Sequence, residues 1–442
     1  TRSYAFRLAQ IKKLNDLVNK HQQNLMDALQ KDLEKHAYEG LITELGPFFS
    51  EVKDTLKHLR SWMQPESVTT SLFNTPGSSE IIREPYGNVL VIAPWNYPFL
   101  LSFSPLLGAM AAGNCVILKP SEHAPHSAAA MAAIINQHFD PSYIHVIEGG
   151  VEETQALLNT RWDYIFFTGG TAIGKIIYKA AAEHLTPVTL ELGGKSPCVV
   201  HKDANLKLAA KRIAWGKWIN SGQTCLAPDY LFVQADIKQK FIQYLSDAIH
   251  AYYGADPIKS PDYGKIINYR HYERLKSYLS QGRITTGGKC DDRLMRIEPT
   301  IMEQVSADSP VMQEEIFGPI LPIYTYDKID EVYAFINKRE KPLASYLFSA
   351  SSAVQKQFLA EISSGGVSIN DTVMHITSSQ MPFGGVGQSG IGGYHGKYSF
   401  DTFSHKKSVL RRGIQPLDTI FRFPPYNMKL LKMMKELLKR FL

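Results

Sequence analysis

Apolar residues recur at helical spacing along the first sixty positions. Ile11, Leu14, Val18, Leu25 and Leu29, following Phe6, and then Leu41, Leu45, Phe48, Val52, Leu56 and Leu59 predict two long amphipathic helices with packing stripes. Residues 67–84 change character. They are Thr-rich, with Pro76-Gly77 as a turn and Ile81-Ile82 after it, and predict a hairpin standing apart from the helices, as fit for contact with another subunit as for plain surface. A regular alternation follows. Short apolar runs at 89–93, 115–119, 144–147, 164–167 and 188–191 are separated by helical segments at 100–112, 124–138, 151–159 and 173–183, the pattern of a parallel sheet built from βα units. A second alternation, with runs at 198–200, 230–233, 320–324, 345–348 and 366–370 and a helix at 206–218, predicts a second α/β domain. The boundary is expected near Gly193-Gly194, where the backbone is permissive.

Composition narrows the class. At 442 residues the chain exceeds the size of a single core, and 44% hydrophobic with 20% charged residues is ordinary for a globular protein. The net charge of +6 is mild and, until the C-terminal tail, scattered, which argues against a nucleic-acid partner. Cys115, Cys198, Cys225 and Cys290 lie far apart without CxxC spacing, arguing against a zinc site or a disulfide framework and for a reducing, cytoplasmic setting. No apolar run is long enough for a membrane span. The chain starts at Thr1 without an apolar leader, which leaves a trimmed start open.

Polar residues gather where the first set of strands ends, and ligands of parallel sheets bind beyond those ends. The first run ends in PWNYP (94–98), the second in Lys119-Pro120-Ser121-Glu122, the fourth in TGGTAIG (168–174) and the fifth in Glu191-Leu192-Gly193-Gly194-Lys195. The glycines of 169–174 stand between a strand and a helix, suiting close approach of a phosphate to helix N-terminal N–H groups, although they are not a GxGxxG fingerprint. Lys119 and Glu122 suit ribose hydroxyls. Cys225 closes the segment Asn220-Ser221-Gly222-Gln223-Thr224-Cys225 behind a glycine turn, and its nucleophilicity depends on neighbours that favour the thiolate.

Seven segments together closely resemble the aldehyde dehydrogenase superfamily: PWNYP (94–98), LKPSEHAP (118–125), FTGGTAIG (167–174), LELGGKSP (190–197), GQTC (222–225), EEIFGP (314–319) and PFGGVGQSGIG (382–392). The tail YHGKYSFDTFSHKK (394–407) is similar to the class 3 branch of fatty and aromatic aldehyde dehydrogenases. The resemblance implies an α/β fold with a Rossmann-like dinucleotide-binding domain (1–66 and 85–192), a catalytic domain (193–393) and an oligomerisation arm (67–84 and 394–412), after which 413–442 is set apart as a C-terminal amphipathic tail. It implies NAD or NADP as cofactor, a homodimer, and a medium to long aliphatic or aromatic aldehyde as substrate. It casts Cys225 as nucleophile, Glu191 as general base and Asn96 as oxyanion donor. Cofactor contacts fall to Lys119, Glu122, Gly169, Gly170, Thr171, Gly174, Leu192, Glu315 and Phe317. Glu122 favours NAD by repelling a 2′-phosphate, yet class 3 relatives commonly use NADP as well. One departure is Gly170, where family members often carry serine, which removes a hydroxyl from the phosphate loop.

Two further readings compete with oxidation to the acid. In a CoA-acylating relative a thiol instead of water takes the acyl group, and a base at Glu191 is less expected; a non-catalytic dinucleotide-binding or structural protein would have no use for Cys225, Glu191 and Asn96 together. From Asn427 onward Met428, Leu431, Met434, Leu438 and Phe441 are assigned to one helical face, with Lys429, Lys432, Lys435, Lys439 and Arg440 around it. Such a basic amphipathic helix suits peripheral contact with an anionic membrane, cover for a substrate entrance, or packing on its own protein.

Overall fold

The computed structural model describes residues 2–71, 74–414 and 422–439, without the side chains of Leu437 and Leu438. Its first sheet has six strands in the order Gly390–Ile391, Val188–Glu191, Tyr164–Thr168, Asn88–Ile92, Cys115–Lys119, Ile144–Val146. The five early strands are parallel, as their spacing predicts, and Gly390–Ile391 joins antiparallel with Gly390 opposite Glu191. Asn88–Ile92 pairs with Cys115–Lys119 on one side and Tyr164–Thr168 on the other, so the strand order reverses there and opens a crevice beyond its end. Val89, Leu90 and Val91 are wholly buried because helices cover both faces, which is why the strands read as continuous apolar runs. Leu100–Ala112 and Val151–Leu158 match expectation to within a residue, while the helix expected at 173–183 begins two residues earlier, at Thr171.

The second sheet orders seven strands as Arg283–Thr286, Thr300–Glu303, Ile320–Tyr326, Tyr230–Gln234, Pro197–Val200, Ala344–Phe348, Gly366–Ile369. All pairs are parallel except the first. Arg283–Thr286, Thr300–Glu303 and Gly390–Ile391 are additions to the sequence reading. One compact unit comprises the residues up to Met63 with Arg83–His405, and therefore holds both sheets; Gln64–Ile82 with Lys406 onward form a second.

The N-terminal region departs from two simple helices. Tyr4–Lys20 and Gln22–Leu33 are separated by a break at His21, and the run expected at 41–59 divides into a π-helical turn, Leu41–Leu45, and the helix Gly46–Trp62. The wider turn shifts the helical phase, leaving Leu41 on the surface and bringing Glu44 and Leu45 fully inside. A charged residue lies there because Lys35 is buried beside it, 2.7 Å away.

In the second unit Glu66–Val68 pairs antiparallel with Gly77–Pro85, Glu66 opposite Ile81. The connection therefore spans 69–76 and is longer than a tight Pro76-Gly77 turn. Ser404–Arg412 lies on the other edge of Gly77–Pro85. The tail forms a helix, Met428–Lys439, as expected, but Met428 stands one, two and three turns from Lys432, Lys435 and Lys439 and so belongs to the charged face. Leu430, Leu431, Met433 and Met434 make the apolar face, on which Leu431 and Met433 are 45% and 49% exposed. Arg440, Phe441 and the side chain of Leu438 lie outside the described residues. No helix among the described residues is long and apolar enough to cross a membrane.

Candidate active site

A cleft of 1910 Å³ runs along the C-terminal ends of the first sheet and continues to the thiol segment. Asn96, Lys119, Glu122, Gly169, Gly170, Thr171, Glu191, Leu192, Glu315, Phe317 and Cys225 all line it. Gly174 does not. It packs beneath Leu192, whose Cδ2 would lie 2.6 Å from an added Cβ, so its glycine reflects helix packing rather than contact with a ligand. Among the described residues no group of three or more His, Cys, Asp or Glu is placed to hold a metal ion.

The thiol is presented by a strained turn. Helix Leu206–Trp218 ends in Ile219–Gly222, where Asn220, Ser221 and Gly222 take φ of 52°, 53° and 76° in succession. Such a run costs backbone energy and persists where its surroundings over-determine it. At Gly222 a Cβ would sit 2.2 Å from the Gly318 carbonyl oxygen. Gln223 then staples the turn, donating to Asn220 O at 3.1 Å and Lys265 O at 3.0 Å and accepting from Ile267 N at 2.9 Å. The hydroxyls of Tyr97 and Thr224 meet at 2.6 Å, tying this turn to the PWNYP segment. Cys225 follows, half-buried. Burial, then the carboxylates of Glu315 and Glu191, hold its thiol well above the ordinary range, while hydrogen bonding by the Cys225 and Leu226 amides acts the other way. The sequence expectation of neighbours that favour the thiolate is thus met only by backbone amides.

Asn96 reaches the thiol turn from the end of Asn88–Ile92. It is 3% exposed, and its Nδ2 donates to Gln223 O at 3.0 Å. Glu191 ends its own strand in register with Thr168. Its side chain is buried, neither oxygen finds a hydrogen-bond partner among the described residues, and burial raises its pKa well above the ordinary value. Thr168 Oγ1 is likewise buried and unpartnered among the described residues. A carboxyl group left without protein partners costs stability unless a ligand or water completes it.

The wall facing the first sheet is braced by residues the sequence reading did not single out. Lys195 pairs with Asp229 and donates to Val311 O and Glu314 O, both at 2.8 Å, while Asp229 Oδ1 accepts from Ile316 N at 3.0 Å. This pair fixes the loop that carries Glu315 and Phe317. Glu315 lies so close to Gly193 that a Cβ there would fall 1.8 Å from its Oε2, which accounts for the first glycine of the pair better than a hinge does: neither Gly193 nor Gly194 has positive φ. Burial and Asp229 raise Glu315 to about 8, against the Gly194 amide and Lys195. Phe317, at φ 49°, meets Trp95 edge to face at 5.3 Å. Lys217, on Leu206–Trp218, is fully buried without a partner for its Nζ among the described residues, and burial lowers it to about 8. Asp229 carried one legible signal, a lone charge in the apolar run Leu226–Tyr230.

At the far end of the cleft Lys119 is buried, its Nζ donating to Pro120 O at 2.9 Å and to Glu122 at 3.4 Å. Gly170 caps helix Thr171–Glu183, and open space surrounds the position a Cβ would take. Ile173 and Ile176 on that helix and Val151 nearby are at least half exposed and line the cleft.

The model of the Aldehyde dehydrogenase family matches residues 2–409. The 4,4'-diaponeurosporen-aldehyde dehydrogenase of Staphylococcus aureus is 49% identical over 431 residues, 97% of this chain and 94% of that one. Aldehyde dehydrogenase family 3 member B1 of Rattus norvegicus is 48% identical, covering 98% and 93% of the two chains, and the dimeric NADP-preferring aldehyde dehydrogenase of the same species is 47% identical, covering 97% and 95%. The solved substrate-bound state of Staphylococcus aureus AldH superposes with a TM-score of 0.96 at 48% identity, covering 99% of this chain and 95% of that one. Identity at this level over nearly the whole length goes beyond a shared fold: the chain belongs to the aldehyde dehydrogenase family, within its class 3 branch, and is an NAD(P)-dependent oxidoreductase that converts aldehydes to carboxylic acids.

Proposed function

We propose that the aldehyde is oxidised on Cys225, with Asn96 receiving the oxyanion and Glu191 activating the water that releases the acid. The observation behind this reading is that a half-buried thiol shares a cleft with a buried carboxylate that no protein group engages among the described residues. The Cys225 thiol gives its proton to the ionised Glu191, which passes it on to solvent; the thiolate sulfur then bonds to the carbonyl carbon, and the carbonyl electron pair moves onto oxygen. Donors are needed where that charge develops, and losing one costs about 10²- to 10³-fold in rate. An amide nitrogen carries two N–H groups. One of Asn96's is engaged by Gln223 O, which leaves the second, with the Cys225 backbone N–H, for the oxyanion. NAD(P), when bound by the residues assigned below, would supply the acceptor for the hydride that leaves the former carbonyl carbon as the oxyanion collapses. The acyl group then held on Cys225 is a thioester. Glu191 takes a proton from water as the water oxygen attacks the acyl carbon and the thiolate leaves, a role suited to a carboxyl whose pKa is raised toward the working pH.

For the cofactor we assign Lys119 and Glu122 to the adenosine ribose, Gly169, Gly170 and Thr171 to the pyrophosphate, Glu315 to the nicotinamide ribose, and Leu192 and Phe317 to the nicotinamide surround. Open space at Gly170 on a helix N-terminus suits a diphosphate. Glu122 favours NAD over NADP through like-charge repulsion. Trp215, Leu100, Val373 and Ile376 line the same cleft as Cys225 and are apolar, which supports a medium to long aliphatic or aromatic aldehyde. The division of labour follows: 1–66 with 85–192 binds dinucleotide, 193–393 carries the thiol, and 67–84 with 394–412 bridges two copies in a cytoplasmic homodimer. The helix Met428–Lys439, with its exposed Leu431 and Met433 opposite four lysines, suits peripheral contact with anionic lipid. Loss of vesicle binding on truncation after residue 413 supports that role, and binding that survives truncation removes it.

The deciding experiment offers aldehydes of graded length with NAD or NADP, with and without CoA, and identifies the product. Free acid formed independently of CoA is expected, since Glu191 is placed for water; acyl-CoA would favour the acylating alternative. Cys225→Ala should abolish turnover and retain cofactor binding. Dehydrogenase activity in that variant comparable to wild type would overturn the assignment.

A further inference from the structure

Three buried or half-buried charges of the N-terminal region, Lys35, Glu39 and Glu44, take no part in the chemistry above, yet all engage the two turns that perform it. Lys35 is 1% exposed and Glu44 is fully buried. Lys35 Nζ donates to Glu44 Oε1 at 2.7 Å and to the main-chain oxygen of Asn96 at 3.2 Å, and lies 4.3 Å above the Tyr97 ring. Glu44 Oε2 accepts from the amides of Phe99 at 2.8 Å and Leu100 at 3.5 Å, at the start of helix Leu100–Ala112. Glu39 Oε1 accepts from the Asn220 amide at 3.0 Å, the first residue of the left-handed run before Cys225. Asn220 closes the circuit, donating its Nδ2 to Asn96 O at 2.8 Å and to Gln223 O at 3.2 Å.

Burying the charges of Lys35 and Glu44 is expensive, and nothing in the packing of apolar helices requires it. What the arrangement does is specific. The Asn96 carbonyl receives two donors, one ionic and one amide, so the peptide following Asn96 is held, and with it the direction in which the Asn96 side chain leaves the backbone. The Asn220 amide, in a conformation that non-glycine residues rarely adopt, is held by a carboxylate. The two turns are then locked to each other through Asn220 and Gln223.

We propose that Lys35 and Glu39 are positioning residues for aldehyde oxidation: Lys35, oriented by Glu44, fixes the Asn96 peptide, and Glu39 fixes the Asn220 turn, so that the N-terminal segment sets the geometry of the oxyanion site. This rests on the role assigned to Asn96 under the proposed function. A misplacement of about 1 Å in a reacting constellation can cost about 10²-fold in rate, so these residues act on kcat while touching neither substrate nor cofactor.

The test is a double-mutant cycle on the full chain with kcat, aldehyde KM and NAD(P) affinity as readouts. Asn96→Ala is measured first: activity close to wild type would sink both the Asn96 assignment and this proposal. If it is slow, Lys35→Met should lower kcat by roughly 10²-fold with KM and cofactor affinity held within about 3-fold, and should slow the Asn96→Ala enzyme by no more than about 2-fold, because coupled residues do not add. Full additivity, or a near-normal kcat for Lys35→Met, overturns the proposal and leaves the Asn96 reading standing. Should Lys35→Met fail to fold, because Glu44 is left buried without its partner, the Glu39 pair decides. Glu39→Gln retains an acceptor for the Asn220 amide and should stay within about 3-fold of wild type, whereas Glu39→Ala should lose roughly 10-fold or more in kcat at unchanged KM. Equal effects of the two substitutions would overturn it.

Discussion

A carboxyl group buried without a partner is a poor ornament and a good base. Burial holds Glu191 protonated to higher pH than an exposed carboxyl, and only its ionised form can accept a proton from water. The sign follows: thioester hydrolysis is slow at a pH below the raised pKa of Glu191 and increases as pH climbs through it, above the ordinary carboxylate range. Glu191→Gln should remove that limb and slow release of the acid by about 10²- to 10⁴-fold, leaving the first hydride transfer intact. Rapid mixing should show about one reduced cofactor per site followed by a stall, whereas steady turnover like wild type would end the assignment. Cys225 carries the opposite lesson. Because burial raises the pKa of its thiol, alkylation by iodoacetamide at pH 7 should be slow in the free protein, and NAD(P) bound as proposed, which would add positive charge to the cleft, should accelerate it. Equal rates with and without cofactor would contradict it. These two residues were legible in the sequence because glycines and motif neighbours frame them. Lys35 and Glu39 were not, since what marks them is the contact of a charge with residues 61 and 181 positions away, which no local pattern encodes.

Elements were legible where a periodic run was long and illegible where packing decides. The strands Cys115–Lys119 and Val188–Glu191 and the helices Leu100–Ala112 and Leu206–Trp218 fall on the residues their patterns indicate. The π turn at Leu41–Leu45 does not follow from periodicity; it accompanies the placing of Glu44 inside, beside Lys35. The loop from Val311 to Phe317 is a similar case. It has little regular structure, and the Lys195–Asp229 pair holds it in three places, two carbonyls and one amide. Lys195→Met removes the donor to both carbonyls and leaves Asp229 without its cation. Charge-assisted hydrogen bonds contribute about 1.5–3 kcal/mol each, so cofactor affinity should weaken roughly 10-fold or more as Glu315 and Phe317 lose their fixed position. Aldehyde KM should move far less. Fluorescence titration with NAD checks the first and steady-state kinetics the second; unchanged cofactor affinity would mean that the brace serves the fold alone.

At the scale of the whole molecule the cleft has two walls from two sheets within one compact unit. The strand ends of the first supply Asn96, Lys119 and Glu191, while Cys225, Glu315 and Phe317 belong to segments around the second. The order of strands within each sheet, and the antiparallel return of Gly390–Ile391 beside Glu191, depend on pairings between segments far apart in the chain, which is why the sequence suggested two sheets but not how their ends would meet. A dinucleotide that touches both walls binds the folded state and not the unfolded chain, so it stabilises by mass action, about 2.7 kcal/mol at a hundred times its dissociation constant. Wild type and Cys225→Ala should therefore melt several degrees higher with saturating NAD or NADP, the more effective of the two revealing how Glu122 discriminates. Gly193→Val should lose most of that increase, because a side chain there would occupy the place of the Glu315 carboxylate, 1.8 Å from an added Cβ. The melting temperature of the variant without cofactor separates damage to the fold from damage to the cleft. A variant that melts like wild type alone yet gains nothing from cofactor locates dinucleotide binding between the two walls, whereas a full gain in Gly193→Val would place the cofactor away from Glu315 and dissolve the two-walled reading.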